Sequence, residues 1–287
     1  MDRRNFIGTT IGAFSMITLT GFRNIADSFG SNGITMPCLF IGHGNPMNAI
    51  EDNAFSRAWK TAAAGIPKPS AILCISAHWL TRGTFVTAME RPKTIHDFGG
   101  FPKALFDKQY PAPGAVQLAQ ETASQISTTK VGLDEEWGLD HGTWSVLAQM
   151  YPLADIPVYQ LSIDYTKPPE WHYELGKELL WLRKKGVLII GSGNIVHNLG
   201  MVDWNGGVYP WAQEFDAVAK KHIDNRNHAD LIHYERLGNA AKLAIPTNDH
   251  YLPLLYTLSL QGKKEAHTYF SEECIMGSIS MRSIRIG

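Results

Sequence analysis

Four short apolar runs recur along the chain, at 36–41 (MPCLFI), 71–76 (AILCIS), 158–163 (VYQLSI) and 187–192 (VLIIGS), each bounded by glycine, proline or polar residues. They are apolar at successive rather than alternate positions, which predicts strands covered on both faces, the pattern of a mostly parallel sheet under helices. Between them lie amphipathic segments of helical length at 54–64, 115–126, 169–185 and 211–224. This alternation predicts an α/β fold with a mostly parallel central sheet flanked by helices. Two further segments, 83–89 and the tail 275–286 that alternates around Gly277, predict extra strands at the edge. No repeat, low-complexity tract or long linker divides residues 34–287, so they read as a single domain.

Composition narrows the choice of partner. Of the 287 residues, 44% are hydrophobic and 18% charged, enough for a sizeable core. The formal net charge of -1, with no cluster of lysine and arginine, suggests neither nucleic acid nor an anionic membrane surface and leaves a small molecule as the expected ligand. Cys38, Cys74 and Cys274 are odd in number, far apart and set in mostly apolar runs, with no CxxC spacing. They read as buried thiols, not as a disulfide framework, a zinc knuckle or a redox pair.

Residues 1–33 form a separate segment. Arg3 and Arg4 precede Asn5, Phe6 and Ile7, and an uncharged, small and apolar stretch then runs to Phe22. The pattern resembles a twin-arginine export signal. A stable membrane anchor needs about 20 predominantly apolar residues, and this stretch is too short and too rich in Gly, Ser and Thr. The expectation is a periplasmic or exported protein carried by the twin-arginine export machinery and cleaved between Thr20 and Gly33; without such a signal the chain would be cytoplasmic. Asp2 stands where a small polar residue is usual, and no A-x-A site follows. That machinery carries folded proteins, often with a metal already inserted, so a metal site deeper in the chain fits the route.

The eleven histidines are not equivalent. His222, His228, His233 and His267 sit among polar and charged residues and read as solvated surface, while His172 opens a helix and reads as surface or cap. His43 and His78 each follow a predicted strand by two residues, and in open α/β sheets the carboxyl ends of the strands form the ligand crevice. His197 follows 187–191 through GSGNIVHNL, a glycine-rich turn that can take positive φ and bring backbone close to a ligand. His141 opens a helix in DHGTWSVL with Asp140 beside it, and His250 lies between a turn and an apolar helix in TNDHYLPLLY. One such residue alone reads as a hydrogen-bonded structural histidine. Five together, three of them after strands, read as imidazoles converging on a divalent metal such as zinc or non-haem iron. Nucleophile motifs are absent: there is no G-x-S-x-G, GSGNIVH lacks the P-loop lysine, and no cysteine follows a strand.

FIGHGNPMNAIEDN, SAHWLTRGTFVTAMERPKTIHDFGGFP, YPAPG, WGLDHGTWSVLAQMYPLADIPVYQLSID, GSGNIVHNL, DHYLPLLY and MGSISMRSIRIG, in this order from Met36 to Gly287, together resemble the bacterial 4,5-DOPA extradiol dioxygenases. These belong to the class III ring-cleaving dioxygenases, the family of the catalytic subunit of protocatechuate 4,5-dioxygenase. The resemblance implies a non-haem Fe(II) enzyme that opens a catechol beside its two hydroxyls with O2, and some bacterial members hold Zn(II). It further implies His43 and His78 as metal ligands, His250 as a third metal-site residue, and His197 as either a metal-site residue or the catalytic acid/base. By the same resemblance His141 touches a substrate hydroxyl, and His96 either lines the substrate entry or is a loop histidine paired to Asp97. The family usually reads Thr-Pro-Glu-His before YLPLLY, where this chain has Thr247, Asn248, Asp249 and His250.

Three functions compete on this basis. The first is an extradiol dioxygenase acting on a catechol with a small side chain, DOPA or a plant- or polymer-derived phenol. The second is a zinc hydrolase using metal-bound water, for which Asp140 and Asp249 are the candidate general bases. The third is a non-catalytic protein that binds a metal or a catechol.

Overall fold

The computed structural model describes residues 35–287, so the expected export signal lies outside the described residues. In chain order the strands are β1 (Cys38–Gly42), β2 (Ala71–Ser76), β3 (Leu80–Thr81), β4 (Thr84–Thr87), β5 (Val131–Asp134), β6 (Val158–Gln160), β7 (Ile163–Asp164), β8 (Val187–Gly193), β9 (His267–Phe270), β10 (Cys274–Ile275), β11 (Ile279–Ser280) and β12 (Ser283–Ile286). The helices are α1 (Ala54–Ala64), α2 (Lys103–Phe106), α3 (Val116–Gln125), α4 (His141–Met150), α5 (Pro169–Lys177), α6 (Leu180–Lys184), α7 (Pro210–Asp224), α8 (His228–Ile232), α9 (Asn239–Ala244) and α10 (Leu252–Ser259).

The central sheet has six strands in the order β6-β2-β8-β1-β12-β9. β6, β2, β8 and β1 are mutually parallel, and β12 pairs antiparallel to both β1 and β9. Every residue of β1, β2 and β8 is buried, as a sheet covered on both faces requires. Alternate side chains divide between two cores. Cys38, Phe40, Leu73, Ile75 and Ile189 face a layer containing Leu175, Phe215 and Leu254, whereas Leu39, Ile41, Ile72, Cys74 and Ile190 face Trp59, Trp144 and Leu147. Each large apolar side chain so buried contributes about 1.5–3 kcal/mol, which makes this sandwich the rigid frame of the molecule. Helix α1 starts on a capping box between Asn53 and Ser56. Helix α4 is buried at every residue and starts on the Asp140 side chain, which accepts from the Thr143 N–H.

The fold is the expected single α/β domain; the tail adds β12 toward one edge of the central sheet, whereas the strand expected in 83–89, β4, pairs with β5 in a separate two-stranded sheet, and the chain departs from the sequence reading in four further places. The run 158–163 splits into β6 and β7: Leu161 N–H makes the last bond to β2 at the Cys74 carbonyl, and Ser162 N–H then turns to the Phe85 carbonyl. The helix expected over 169–185 splits into α5 and α6 at Glu178, whose carboxylate leaves the helix face to bind the backbone of Ser127 and Thr128. The C-terminal segment folds as the β10-β11 hairpin before β12 enters the central sheet, turning at Met276 (φ 51°) and Gly277 (φ 78°). The glycines of GSGN do not take positive φ; they lie inside β8, where a Cβ on Gly193 would fall 2.1 Å from the His250 carbonyl oxygen. Their role is to let the segment carrying His250 pack directly on the sheet. Among the described residues, no helix is long and apolar enough to cross a membrane.

Candidate active site

The carboxyl ends of β1, β2 and β8 open into a cavity of about 400 Å³. Its wall carries His43, His78, His141, His197 and His250. His43 continues the β1–β8 pairing by donating its N–H to the Gly193 carbonyl at 3.1 Å. His78 follows β2 and packs against Gly142, where a Cβ would lie 2.9 Å from the imidazole. His141 opens α4, with its N–H bonded to Asp97 Oδ1 at 2.9 Å. His197 is held by a bond from its N–H to the Ala244 carbonyl, and its ring stacks on that of His250 with centroids 3.5 Å apart and planes 7° from parallel.

Hydrogen bonds behind the rings decide which nitrogens face the cavity. Ser192 Oγ donates its single proton to the Gly142 carbonyl at 2.5 Å, so at the 3.0 Å contact with His43 the donor must be the imidazole Nδ1–H. His43 Nε2 is therefore a bare lone pair. Asp249 Oδ2 sits 2.5 Å from His250 Nδ1 and fixes the same tautomer there. Asp97 Oδ2 lies 2.9 Å from His141 Nδ1 and 3.5 Å from His78 Nδ1, so its negative charge stands behind both rings.

His43 Nε2 and His78 Nε2 meet at 3.1 Å. With the His43 Nε2 lone pair facing His78, this separation matches a metal site, where two nitrogens bound at about 2.0–2.1 Å to one tetrahedral ion lie about 3.3 Å apart. The donor set thus fits a divalent metal. Two groups of metal-ligating atoms adjoin, His43, His78 and His141 in one and His197, Asp249 and His250 in the other, with the atoms of each within 4.8 Å of one another. The electrostatics agree. Burial, reinforced by neighbouring imidazoles, holds His43 and His78 well below their ordinary 6.5, and burial with His250 alongside brings His197 to about 3. Burial would raise Asp97, but bonds from the His141 side chain and backbone hold it below the usual carboxylate range. Asp249 is likewise kept ionised against burial by His250.

Other positions singled out in the sequence fall elsewhere. His96 is not in the cavity wall and does not pair with Asp97; its Nε2 bonds the Lys108 carbonyl at 2.9 Å and its ring packs on Trp144. His172, expected at the surface, is fully buried and bonds the Tyr256 hydroxyl through Nδ1 at 2.9 Å. The surface set, His222, His228, His233 and His267, is half-buried, with His222 and His267 paired to Asp230 and Asp224. Asp140 is enclosed behind the wall, bonded by Ser76, Gln160 and Thr143, and burial beside Asp97 raises its pKa. It is not placed to serve as the general base that a zinc hydrolase would need, and Asp249 is committed to His250. Asp97 and Ser192 orient the site, yet as a loop aspartate and a serine between glycines they carry no motif of their own.

A covered α/β sheet whose strand ends deliver histidines, with carboxylates and a hydroxyl behind them, to a largely apolar cavity defines a metal-dependent enzyme for a small aromatic or apolar substrate. Residues 37–280 match the family described as the catalytic LigB subunit of aromatic ring-opening dioxygenase, and the chain belongs to that family. It is 49% identical over 259 residues to the 4,5-DOPA dioxygenase extradiol of Escherichia coli (strain K12), covering 88% of this chain and 95% of that one. It is 39% identical over 242 residues to the protein of the same name from Beta vulgaris, covering 82% and 90% of the two chains. The crystal structure of an uncharacterized protein from Escherichia coli K12 superposes with a TM-score of 0.77 at 44% identity, covering 88% of this chain and all of the other. The chain is thus an extradiol ring-opening dioxygenase, and the hydrolase alternative finds no support.

Proposed function

We propose that this enzyme opens a singly substituted catechol beside its hydroxyls, with His43, His78 and His250 holding Fe(II) through Nε2 and His197 serving as acid/base. Zn(II) is the alternative occupant, and four histidines including His197 the alternative ligand set. When bound, the metal supplies Lewis acidity and adjacent positions for catechol and O2. The chain's residues do the rest. Ser192 and Asp249 set the tautomers that turn the Nε2 lone pairs of His43 and His250 into the cavity, and the Asp97 charge stands behind His78. His197, neutral because burial lowers its pKa, can accept a phenolic proton and return it during ring opening. His141, whose N–H is anchored on Asp97, would bond the second hydroxyl. Both oxygen atoms enter the product, so no external reductant is required. The observation that carries this reading is the 3.1 Å approach of two Nε2 atoms whose partner nitrogens face a hydroxyl and a carboxylate.

The relatives named for DOPA make it the first substrate to test. Full-length protein would be reconstituted anaerobically with Fe(II) or Zn(II), then given DOPA or simple catechols in air while O2 uptake and a yellow ring-opened product are followed. Iron-dependent uptake matched by product supports the proposal; no uptake with any catechol at full metal occupancy overturns it. We further propose export through the twin-arginine route, supported by Arg3, Arg4, Phe6 and Ile7. N-terminal sequencing of protein from the native envelope should begin between Thr20 and Gly33, and an intact Met1 would refute export.

A further inference from the structure

Resting on the dioxygenase reading, we infer that Asn45 selects the substrate by donating from its side-chain amide to a carboxylate on the catechol's substituent. The turn that carries Asn45 is held firmly. Gly44 (φ 58°) donates its N–H to Asn194 Oδ1 at 3.3 Å, Asn48 Nδ2 donates to the His43 carbonyl at 3.1 Å, and Asn48 N–H donates to the Asn45 carbonyl at 3.0 Å. Asn48 is itself gripped from α4, where Gln149 Nε2 donates to its carbonyl at 2.9 Å. Asn45 thus keeps a fixed place on the cavity wall just beyond His43.

The orientation of the amide is determined as well. Asn45 caps the short helical turn Pro46–Ala49, and its Oδ1 accepts from the Met47 N–H at 2.9 Å. Only the oxygen of an amide can meet an N–H donor, so Nδ2 with its two hydrogens is the free end. That nitrogen makes no hydrogen bond within the described residues, and Asn45 is only partly buried.

The rest of the wall makes this donor distinctive. Apart from the histidines and Asp97, the lining side chains that carry a polar hydrogen are Asn45 and the largely exposed Trp204. Asp97 is already engaged, its Oδ1 by the His141 N–H and its Oδ2 by His141 Nδ1. The wall therefore presents unspent donors and no unspent carboxylate, which suits an anionic group on the substituent and leaves an ammonium to the water at the open rim. A donor already fixed in place loses little freedom on binding. A hydrogen bond to a carboxylate at such a water-exposed position favours binding by about threefold to tenfold.

The test uses L-DOPA, dihydrocaffeate, which keeps the carboxylate and lacks the ammonium, and dopamine, which lacks the carboxylate, on the full chain. With Fe(II), kcat/KM should favour L-DOPA and dihydrocaffeate over dopamine by about threefold or more, and calorimetric affinities for the Zn(II) form should show the same ratios. Asn45→Gly removes the amide while remaining an acceptable helix cap, and should lower both ratios by about threefold to tenfold. Asn45→Asp keeps the shape and the oxygen that accepts from Met47, replaces the donor by an anion, and should turn the preference toward dopamine. Ratios cancel any general loss of activity in a variant. A ratio near one in the unsubstituted enzyme overturns the inference, as does a ratio unchanged in Asn45→Gly, which would trace any effect of Asn45→Asp to added charge alone; either leaves the dioxygenase reading intact. Binding ratios on the Zn(II) form that follow the two substitutions, with none of the three compounds opened by the Fe(II) form, support the inference and overturn the dioxygenase reading.

Discussion

Ser192→Ala tests the argument that one buried hydroxyl sets the tautomer of His43. Ser192 is fully buried and bridges His43 Nδ1 at 3.0 Å to the Gly142 carbonyl at 2.5 Å. The substitution removes one oxygen, creates little space, and leaves a buried Nδ1–H without an acceptor. That loss costs about 1–3 kcal/mol of folding stability, readable as a lower urea midpoint at unchanged slope. The second consequence is specific to the site. A ring no longer held in the Nδ1–H tautomer presents its Nε2 lone pair only part of the time, and losing such a partner typically costs 10–100-fold in metal affinity.

The assay is competition for Zn(II) against a chelator, run beside urea unfolding of the metal-free protein. Thr122→Val provides the control, since it removes a buried hydroxyl that bonds Tyr159 at 3.0 Å on the opposite face of the sheet. The control should lose stability by a similar amount and keep its affinity for zinc. Ser192→Ala with wild-type zinc affinity would refute the tautomer argument, and equal loss of affinity in both variants would show that destabilisation alone is responsible.

Three further outcomes follow from the same geometry. Asp249→Asn keeps a side chain of the same shape but removes the ionised acceptor behind His250, so zinc affinity should fall about tenfold in the same competition; an unchanged affinity would place His250 outside the metal set. His197→Ala should retain the metal and lose turnover if the residue is the acid/base, whereas loss of metal measured by elemental analysis would make it a ligand. The metal-free protein should lose stability on acidification: His172 at about 4 and His197 at about 3 stay neutral when folded, while in the unfolded chain they take up protons below the ordinary 6.5. The unfolded state binds more protons in that window, so stability is complete above pH 6.5 and declines below it, and a Tm equal at pH 7.5 and pH 5 would contradict this.

Much of this architecture was legible because it follows from local composition. Short uninterrupted apolar runs bounded by turn residues read as strands covered on both faces, so β1, β2 and β8 and the crevice at their ends were foreseeable, and with them His43, His78 and His197. What escaped depends on contacts made across the fold. β9 pairs with β12 through a half-buried, polar HTYF segment that has no strand signature of its own. His172 looked like a surface residue because its neighbours in sequence are polar, yet α5 packs on α10 and brings it to Tyr256. Gly193 reads in sequence as part of a turn able to take positive φ, whereas what the fold uses is the absence of a Cβ beside His250. The tautomers were invisible for a similar reason, since Ser192 and His43 are 149 residues apart.

The charge distribution explains why the carboxylates stand behind the histidines and not among the forward-facing donors. Burial and mutual repulsion keep His43, His78 and His197 neutral, while Asp97 and Asp249 remain ionised through their contacts with His141 and His250. Two partly covered negative charges with no lysine or arginine in the described cavity wall carry an electrostatic cost, which a divalent cation on the proposed ligands would offset. The forward face then presents uncharged imidazoles alone, so a catechol giving up a phenolic proton meets the cation without a competing carboxylate.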